Sequence, residues 1–326
     1  MVTSRRTLLT ASAAGILGGR SAVAQGDFPN RSLRLIVAFP PGSINDVSAR
    51  LIAPEMAKQL GQSVVVENRS GAGGLVGTEA VARATPDGHT IGIGTMSQLV
   101  MNLALYRNIP FDLDNGLAPV GVISETPSVL VVHPSVPVTT LAELLAYARA
   151  NPGKLNYASA GNGSINHVGT EHFMALAGIQ MTHIPYRGAG PAQSDLVAGK
   201  VDLAFDSGPA CVAHVQSGRL RALAVSFRHR SRQLPEVPLF AEAGLPQYAN
   251  NSWNLLMAPA GTPVAVMSRL NAALNATLAN PDVRARFEAG GSEVAINTTP
   301  EAAATFVAAQ RATWVPVARG LGLTLN

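Results

Sequence analysis

"LRLIVAFPPGSINDVSARLIAPEMAKQLGQSVVVEN", residues 33–68, decides how the rest of the chain is read. Residues 33–39 form a compact apolar run that ends at a proline pair, which is the length and composition of a strand. After "PPGS" the period changes. Residues 46–60 carry apolar side chains at helical spacing until Gly61, the usual stop, so they are expected to form a helix. Pro54 lies inside it and should kink it, because proline cannot donate to the carbonyl four residues back. "SVVVEN" then returns to strand.

The same alternation continues along the chain. "LVGTEAVARA" (75–84) reads as helix, "TIGIGT" (90–95) and "SVLVVH" (128–133) as strands, and "TLAELLAYARANPG" as a helix with Leu141, Leu144 and Leu145 on one face and Thr139 or Thr140 as its cap. Strands at 155–161, 181–186, 201–206 and 220–227 alternate with helices at 166–177, 192–199 and 211–216. A further strand at 253 leads into terminal helices over 263–320. Strands separated by helices predict an α/β fold with mixed, mostly parallel sheets. No sequence repeat is evident, yet the organisation repeats. One domain is expected from residues 27–125 plus 252–326 and a second from 126–251, with two crossings acting as a hinge and a cleft between them.

The amino terminus carries an export pattern. Arg5 and Arg6 precede an apolar, small-residue run, and "AVA" at 22–24 suits cleavage near Ala24, which places the mature protein in the periplasm. The run is too short to span a bilayer. The arginine pair resembles a twin-arginine signal, although general secretory signals also begin with basic residues. The formal charge of +4, less Arg5, Arg6 and Arg20, leaves +1 on the mature chain. With three lysines and scattered arginines that chain has no nucleic-acid footprint. The single Cys211 cannot form an internal disulfide and is expected to be a small buried residue.

Open α/β sheets bind ligands at the carboxyl ends of their strands. Here those ends read "FPPGSIND" (39–46), "GTMSQ" (94–98), "ASAGNGSINH" (158–167) and "FDSGP" (205–209). All are small, polar or glycine-bearing, and three open onto helices, so they offer backbone N–H groups, hydroxyls and helix amino termini to an anion. The candidate ligand-binding residues are Pro41, Gly42, Ser43, Asp46, Thr95, Ser97, Ser159, Gly163, Ser164 and Asp206. Six have a local alternative: Ser43, Ser164 and Asp46 as helix caps, Thr95 and Ser159 as partners of loop carbonyls, Asp206 as the cap of the following helix. Trp253 and Tyr186 are expected in hinge or cleft packing.

"SGAGGLVG" (70–77) looks at first like a dinucleotide fingerprint. That fingerprint needs glycine at the first, third and sixth positions, and the sixth position from Gly71 is Val76. No cofactor is expected. Nor is catalysis: no serine sits in a nucleophile elbow, no lysine follows a serine by three, and none of the seven histidines belongs to an "HExxH" pair. A periplasmic hydrolase or isomerase remains the second class, since a distant histidine and serine can still meet in space.

Residues 33–90 as a block, with "PGKLNYASAGNGS", "HIPYRG", "DLVAGKVDLAFDS", "GRLRALAV", "LPEVPLFAEAG" and "APAGTP", resemble the Bug family of periplasmic solute-binding proteins of tripartite tricarboxylate transporters. The likeness runs collinearly over the mature chain. It implies a type II periplasmic binding protein, a two-domain clamshell closing on a small carboxylate or amino-acid-like solute, with membrane transporter subunits, or a membrane sensor, as partner. The family's "FPPGG" loop carries Ser43 here in place of its second glycine, and "ENRSGAGG" stands where the family has "ENRPGAGG", at the outer part of the cleft. Intact mass of protein from a periplasmic extract should fit a chain starting close to Gln25; a full-length mass there would contradict the export reading.

Overall fold

The computed structural model describes residues 28–325; the export signal expected at residues 1–24 lies outside the described residues. The chain begins with β1 (Leu33–Val37), α1 (Ile44–Leu60), β2 (Val64–Asn68), α2 (Leu75–Ala82), β3 (Thr90–Thr95), α3 (Asn102–Leu105) and β4 (Leu117–Val132). It continues through α4 (Leu141–Ala150), β5 (Asn156–Ser159), α5 (Ile165–Ala177), β6 (Thr182–Pro185), α6 (Ala189–Val197), β7 (Leu203–Asp206), α7 (Pro209–Gln216) and β8 (Arg221–Ser226). It closes with β9 (Asn251–Pro259), α8 (Val264–Ala279), α9 (Pro281–Ala289), β10 (Glu293–Val294) and α10 (Pro300–Gly320).

Pairing is parallel for β1 with β2 and β3, and for β5 with β6 and β7. The antiparallel ladders all involve β4 or β9. In the first half β9 runs against β2, β1, β3 and β4, and in the second β4 runs against β6, β5, β7 and β8. The sheets are mixed, with most long strands in each half pointing one way. β4 stitches the halves together. Its first part pairs with β9, from Leu117 opposite Pro259 to Pro127 opposite Asn251, and its last residues pair with β7 and β8, Val129 lying opposite both Asp206 and Val225.

Each half buries its own apolar interior. Leu33, Leu35, Ile52 and Met56 meet Leu270 and Leu274 of α8, so the carboxy-terminal helices return to the first half. Leu130, Tyr157, Phe173, Phe205 and Phe240 fill the second. α10 reaches both: Trp314 and Val307 share a cluster with Met96 and Leu99 and with Val168 of α5, and the Trp314 ring lies 5.5 Å from that of His172. Trp253 of β9 is buried beneath α10, its Nε1 donating to Gln310 Oε1 at 3.4 Å. Cys211 is free and buried, as its composition suggested.

Three local expectations change. α1 begins at Ile44 and not at Asp46, because Ser43 caps it, and it runs through Pro54 as one helix. "SVLVVH" is only the end of the 16-residue β4; two prolines, Pro119 and Pro127, mask its length in the sequence. A π-helical turn at Ser97–Met101 leads into α3, where no helix was expected.

The 71–77 glycines serve packing. A Cβ on Gly74 would come within 2.8 Å of Gln98 Cγ, and Gly74 has φ +92°. One on Gly77 would lie 2.6 Å from Ala38 Cβ, 2.7 Å from Ala38 Cα and 2.8 Å from the Arg69 carbonyl oxygen. α2 therefore approaches the end of β1 more closely than any side chain permits. Gly77→Ala should destabilise the protein by about 1–3 kcal/mol through overpacking, although alanine in a helix is intrinsically favoured by roughly 1 kcal/mol. Urea unfolding with an unchanged m-value measures it; a variant as stable as the parent would remove the packing role.

Candidate ligand-binding cleft

The loops after β1 and β5 are built alike. Residues 42–47 read "GSINDV" and residues 163–168 read "GSINHV". Ser43 and Ser164 cap α1 and α5 with the same backbone angles, φ −65° and ψ 157°. Their hydroxyls accept from the N–H of Asp46 and of His167, each at 3.3 Å. Their own N–H groups donate to Pro40 and Gly161 carbonyls, each at 3.2 Å. Gly42 and Gly163 have φ +80° and +76°, and each turns its N–H onto the side chain four residues on: Gly42 onto Asp46 Oδ2 at 2.9 Å, Gly163 onto His167 Nδ1 at 3.1 Å. The capping alternatives for Ser43, Ser164 and Asp46 are thus what the geometry displays. The expectation of free N–H groups at Gly42 and Gly163 is corrected, because both are spent inside their loops. Gly42 and Pro41 are exposed, and open space lies where a Cβ on Gly42 would be. Gly163 is buried, its missing Cβ filled by Leu325 and Leu105.

The side chains at the fourth position differ in charge, and that asymmetry sets the electrostatics. Asp46 is buried, which raises its pKa, but hydrogen bonds from Arg50, Gly42 and Asn68 outweigh burial and hold the carboxyl below its ordinary range. Asn68 Nδ2 donates to Asp46 Oδ1 at 2.9 Å and to the Phe39 carbonyl at 3.1 Å, tying β2 to the loop. His167 is held neutral by burial, against a weaker pull from Glu171 4.0 Å away. Because its Nδ1 accepts from Gly163, its ring proton belongs on Nε2. Behind it His183 is sandwiched, 4.0 Å from the His167 ring and 4.8 Å from Tyr157. Burial, and then the neighbouring His167, push His183 down to about 4. Tyr157 donates to Glu171 at 2.5 Å.

The remaining candidates fall into two groups. Thr95 is buried, donates to Gln98 Oε1 at 2.8 Å and accepts from the Gln98 N–H at 3.4 Å, while Gln98 Nε2 reaches Thr78 at 2.8 Å. Ser97 opens the π-turn half-buried, with no side-chain partner among the described residues. Gly74 packs between Gln98 and Phe39, which brings the loops after β1, β2 and β3 together in the first half.

In the second half Ser159, Asn166, Gln193 and Asp206 line a small pocket of about 20 Å³, room for about one water. Ser159 Oγ is 2.7 Å from His183 Nε2 and bonds both the carbonyl and the N–H of Gly161. Asn166 Nδ2 donates to the Phe205 carbonyl at 2.5 Å, fastening α5 to the end of β7. Asp206 accepts from Gln193 at 2.8 Å and from the Ser207 N–H at 2.7 Å, but burial dominates and raises its carboxyl above the ordinary range. It does not cap α7, whose cap is Gly208 without a side-chain bond. No hydrogen bond among the described residues joins the two groups; they approach through apolar contact, Gly163 against Leu105 of α3 and Val168 of α5 with Met96 and Leu99. Sequence reading missed Asn166, His167, His183 and Gln193. The repeated "GSIN" was the available signal for the first two, but four residues are too few to stand out as a repeat.

Residues 48–323 match the model of the tripartite tricarboxylate transporter family receptor, TctC. The chain belongs to this family and is a solute-binding receptor. It is 38% identical to protein BugT of Bordetella pertussis over 305 residues, 93% of each chain. Among solved structures it is similar to R. palustris Rpa4515 with adipate, at 36% identity and TM-score 0.85, covering 92% of this chain and 100% of that one. It is also similar to MatC from Rhodopseudomonas palustris with bound malate, at 34% identity and TM-score 0.82, covering 89% and 100%. These likenesses give the fold as the two-domain periplasmic binding protein expected.

The histidine stack predicts a pH dependence. Between its ordinary value of 6.5 and about 4, His183 binds more protons unfolded than folded, so folding stability should fall as pH drops through that window. Asp46 acts lower: its folded pKa lies beneath the ordinary 3.8, so its contribution is present above that value and lost as pH falls through the folded one. Urea midpoints from pH 7 to 4 should decline in the wild type and flatten in His183→Gln; equal slopes would dismiss the assignment.

Proposed function

We propose that this chain captures a small carboxylate-bearing solute in a cleft between one lobe of residues 27–125 plus 252–326 and another of residues 126–251, and delivers it in the periplasm to a tripartite tricarboxylate-type membrane transporter. The observation that carries the reading is the pair of matched "GSIN" loops, one in each half, each opening a helix at a strand's carboxyl end. Helix amino termini attract anions through partial positive charge and unpaired N–H groups. α1 has Asp46 in its first turn and α5 has no acid there, so the solute's carboxylate is better accommodated at α5. Pro41, Gly42, Ser43 and Ser97 would form one wall, and Ser159, Gly163, Ser164 and Asp206 the other. Thr95 and Asp46 hold the wall in place.

Binding of adipate and malate by the similar proteins supports a carboxylate as the class. Receptor function without turnover fits the chemistry of the serine–histidine contact beside the small pocket, Ser159 with His183. Ser159 is 2% exposed and its hydroxyl is already engaged with Gly161, while a His183 held near 4 is a poor general base at neutral pH.

Calorimetry on refolded mature protein, with adipate and malate as probes, tests the reading, alongside small-angle scattering for contraction on binding. Saturable binding without product formation is expected; no binding of any small carboxylate, or turnover of one, would overturn it. Asp206→Asn should tighten a solute whose second carboxylate reaches that side by about tenfold, near 1.4 kcal/mol, and weaken an amino-bearing one. Unchanged affinity for both would take Asp206 out of the site.

A further inference from the structure

We propose that a groove of about 190 Å³ on the seam between the two halves, separate from the loops described above, binds a protonated phosphate group. One side is the segment that follows β8, whose Leu234 and Val237 belong to the interior of the second half. The other is α9 and β10, whose Val283 and Phe287 pack into the first half.

Each side contributes one arginine to the groove, Arg232 and Arg284. Neither guanidinium has a hydrogen-bond or ion-pair partner among the described residues, although the pairs nearby are well satisfied. Guanidinium groups present parallel N–H donors that match the oxygens of an oxyanion.

The groove also holds unmet acceptors. Glu288 lines it without a side-chain partner, whereas the Glu293 carboxylate lies 2.9 Å from His229 Nε2 and 3.9 Å from the Arg228 guanidinium. Gln233 Oε1 is buried with no partner. Its amide cannot be turned to relieve this, because Gln233 Nε2 donates to the carbonyls of Glu288 and Ala289 at 3.0 and 3.1 Å, and a reversed amide would set oxygen against oxygen. An occupant must therefore bring negative oxygens for two guanidiniums and at least one proton for an acceptor. Inorganic hydrogen phosphate has both at neutral pH; a phosphate monoester, with its second pKa about 6, carries the proton only in its monoanion, the minor form there. Sulfate has the charge and no proton, so the lining Glu288 carboxylate disfavours it. A phosphate held by Arg232 and Arg284 would tie the halves together beside β4, and this reading does not depend on which solute the cleft takes.

The test is calorimetry and thermal melting with inorganic phosphate, methyl phosphate and sulfate at equal ionic strength and pH 7. Saturable binding of inorganic or methyl phosphate, with sulfate at least tenfold weaker, is expected, and the tighter of the two phosphates names the source. Arg232→Gln and Arg284→Gln should each weaken phosphate at least tenfold with far-UV circular dichroism unchanged, and Glu288→Gln should narrow the gap between phosphate and sulfate. Equal effects of phosphate and sulfate on the wild type, or phosphate affinity within twofold of wild type in either arginine variant, would overturn the proposal. Carboxylate binding in the cleft, measured on the same variants, reports separately on the receptor reading.

Discussion

The pairing of β4 with β9 is the constraint on which the molecule depends. The chain crosses between its halves along β4 and returns along β9, and the two crossings are hydrogen-bonded to each other from Leu117–Pro259 to Pro127–Asn251. Two strands locked in register restrict how the halves move while leaving their separate interiors intact. Register shifts on β4 between Pro119 and Gly121, and between Val122 and Ser124, interrupt the ladder within the first half. Everything that could hold a solute is positioned by where the strands on either side of this pair end.

The second principle is a repeated solution to a local problem. A glycine with positive φ at the end of a strand leaves an N–H that must be satisfied before the helix begins. Both halves meet it with an acceptor four residues on and a serine cap between. The acceptor is a carboxylate in one half and an imidazole in the other. Asp46 brings a full negative charge, which Arg50 and Asn68 balance. His167 brings none, and is kept neutral by burial among Tyr157, His183 and Glu171. The two loops thus share a backbone and differ in potential.

The seam between the halves is polar on its other side. Arg228 and His229 reach Glu125 of β4 and Glu293 of β10, and Gln233 grips the end of α9. These contacts are individually weak in water. The buried apolar interiors carry stability, and the exposed pairs set the arrangement of one half against the other.

How much of this was legible in the sequence depends on the range of the interaction. The strand at 33–39, the helix before Gly61 and the alternation up to β8 followed from periodicity and from glycine and proline, because those signals act within a few residues of themselves. The four loops were placed correctly at strand ends for the same reason. The sequence did not show that β4 runs through two prolines, since a long strand with broken pattern is defined only by its partners β9, β7 and β8. It did not show that Gly42 and Gly163 had already spent their N–H groups, or that His183, sixteen residues beyond His167, stacks upon it. Local pattern determined an α/β chain with polar strand ends, and the resemblance of its motifs to the Bug family pointed to the receptor type. Which hydroxyls and N–H groups remained free, and which charges were neutralised, was decided only by tertiary structure, because hydrogen-bond partners and burial are properties of neighbours that the chain brings together from a distance.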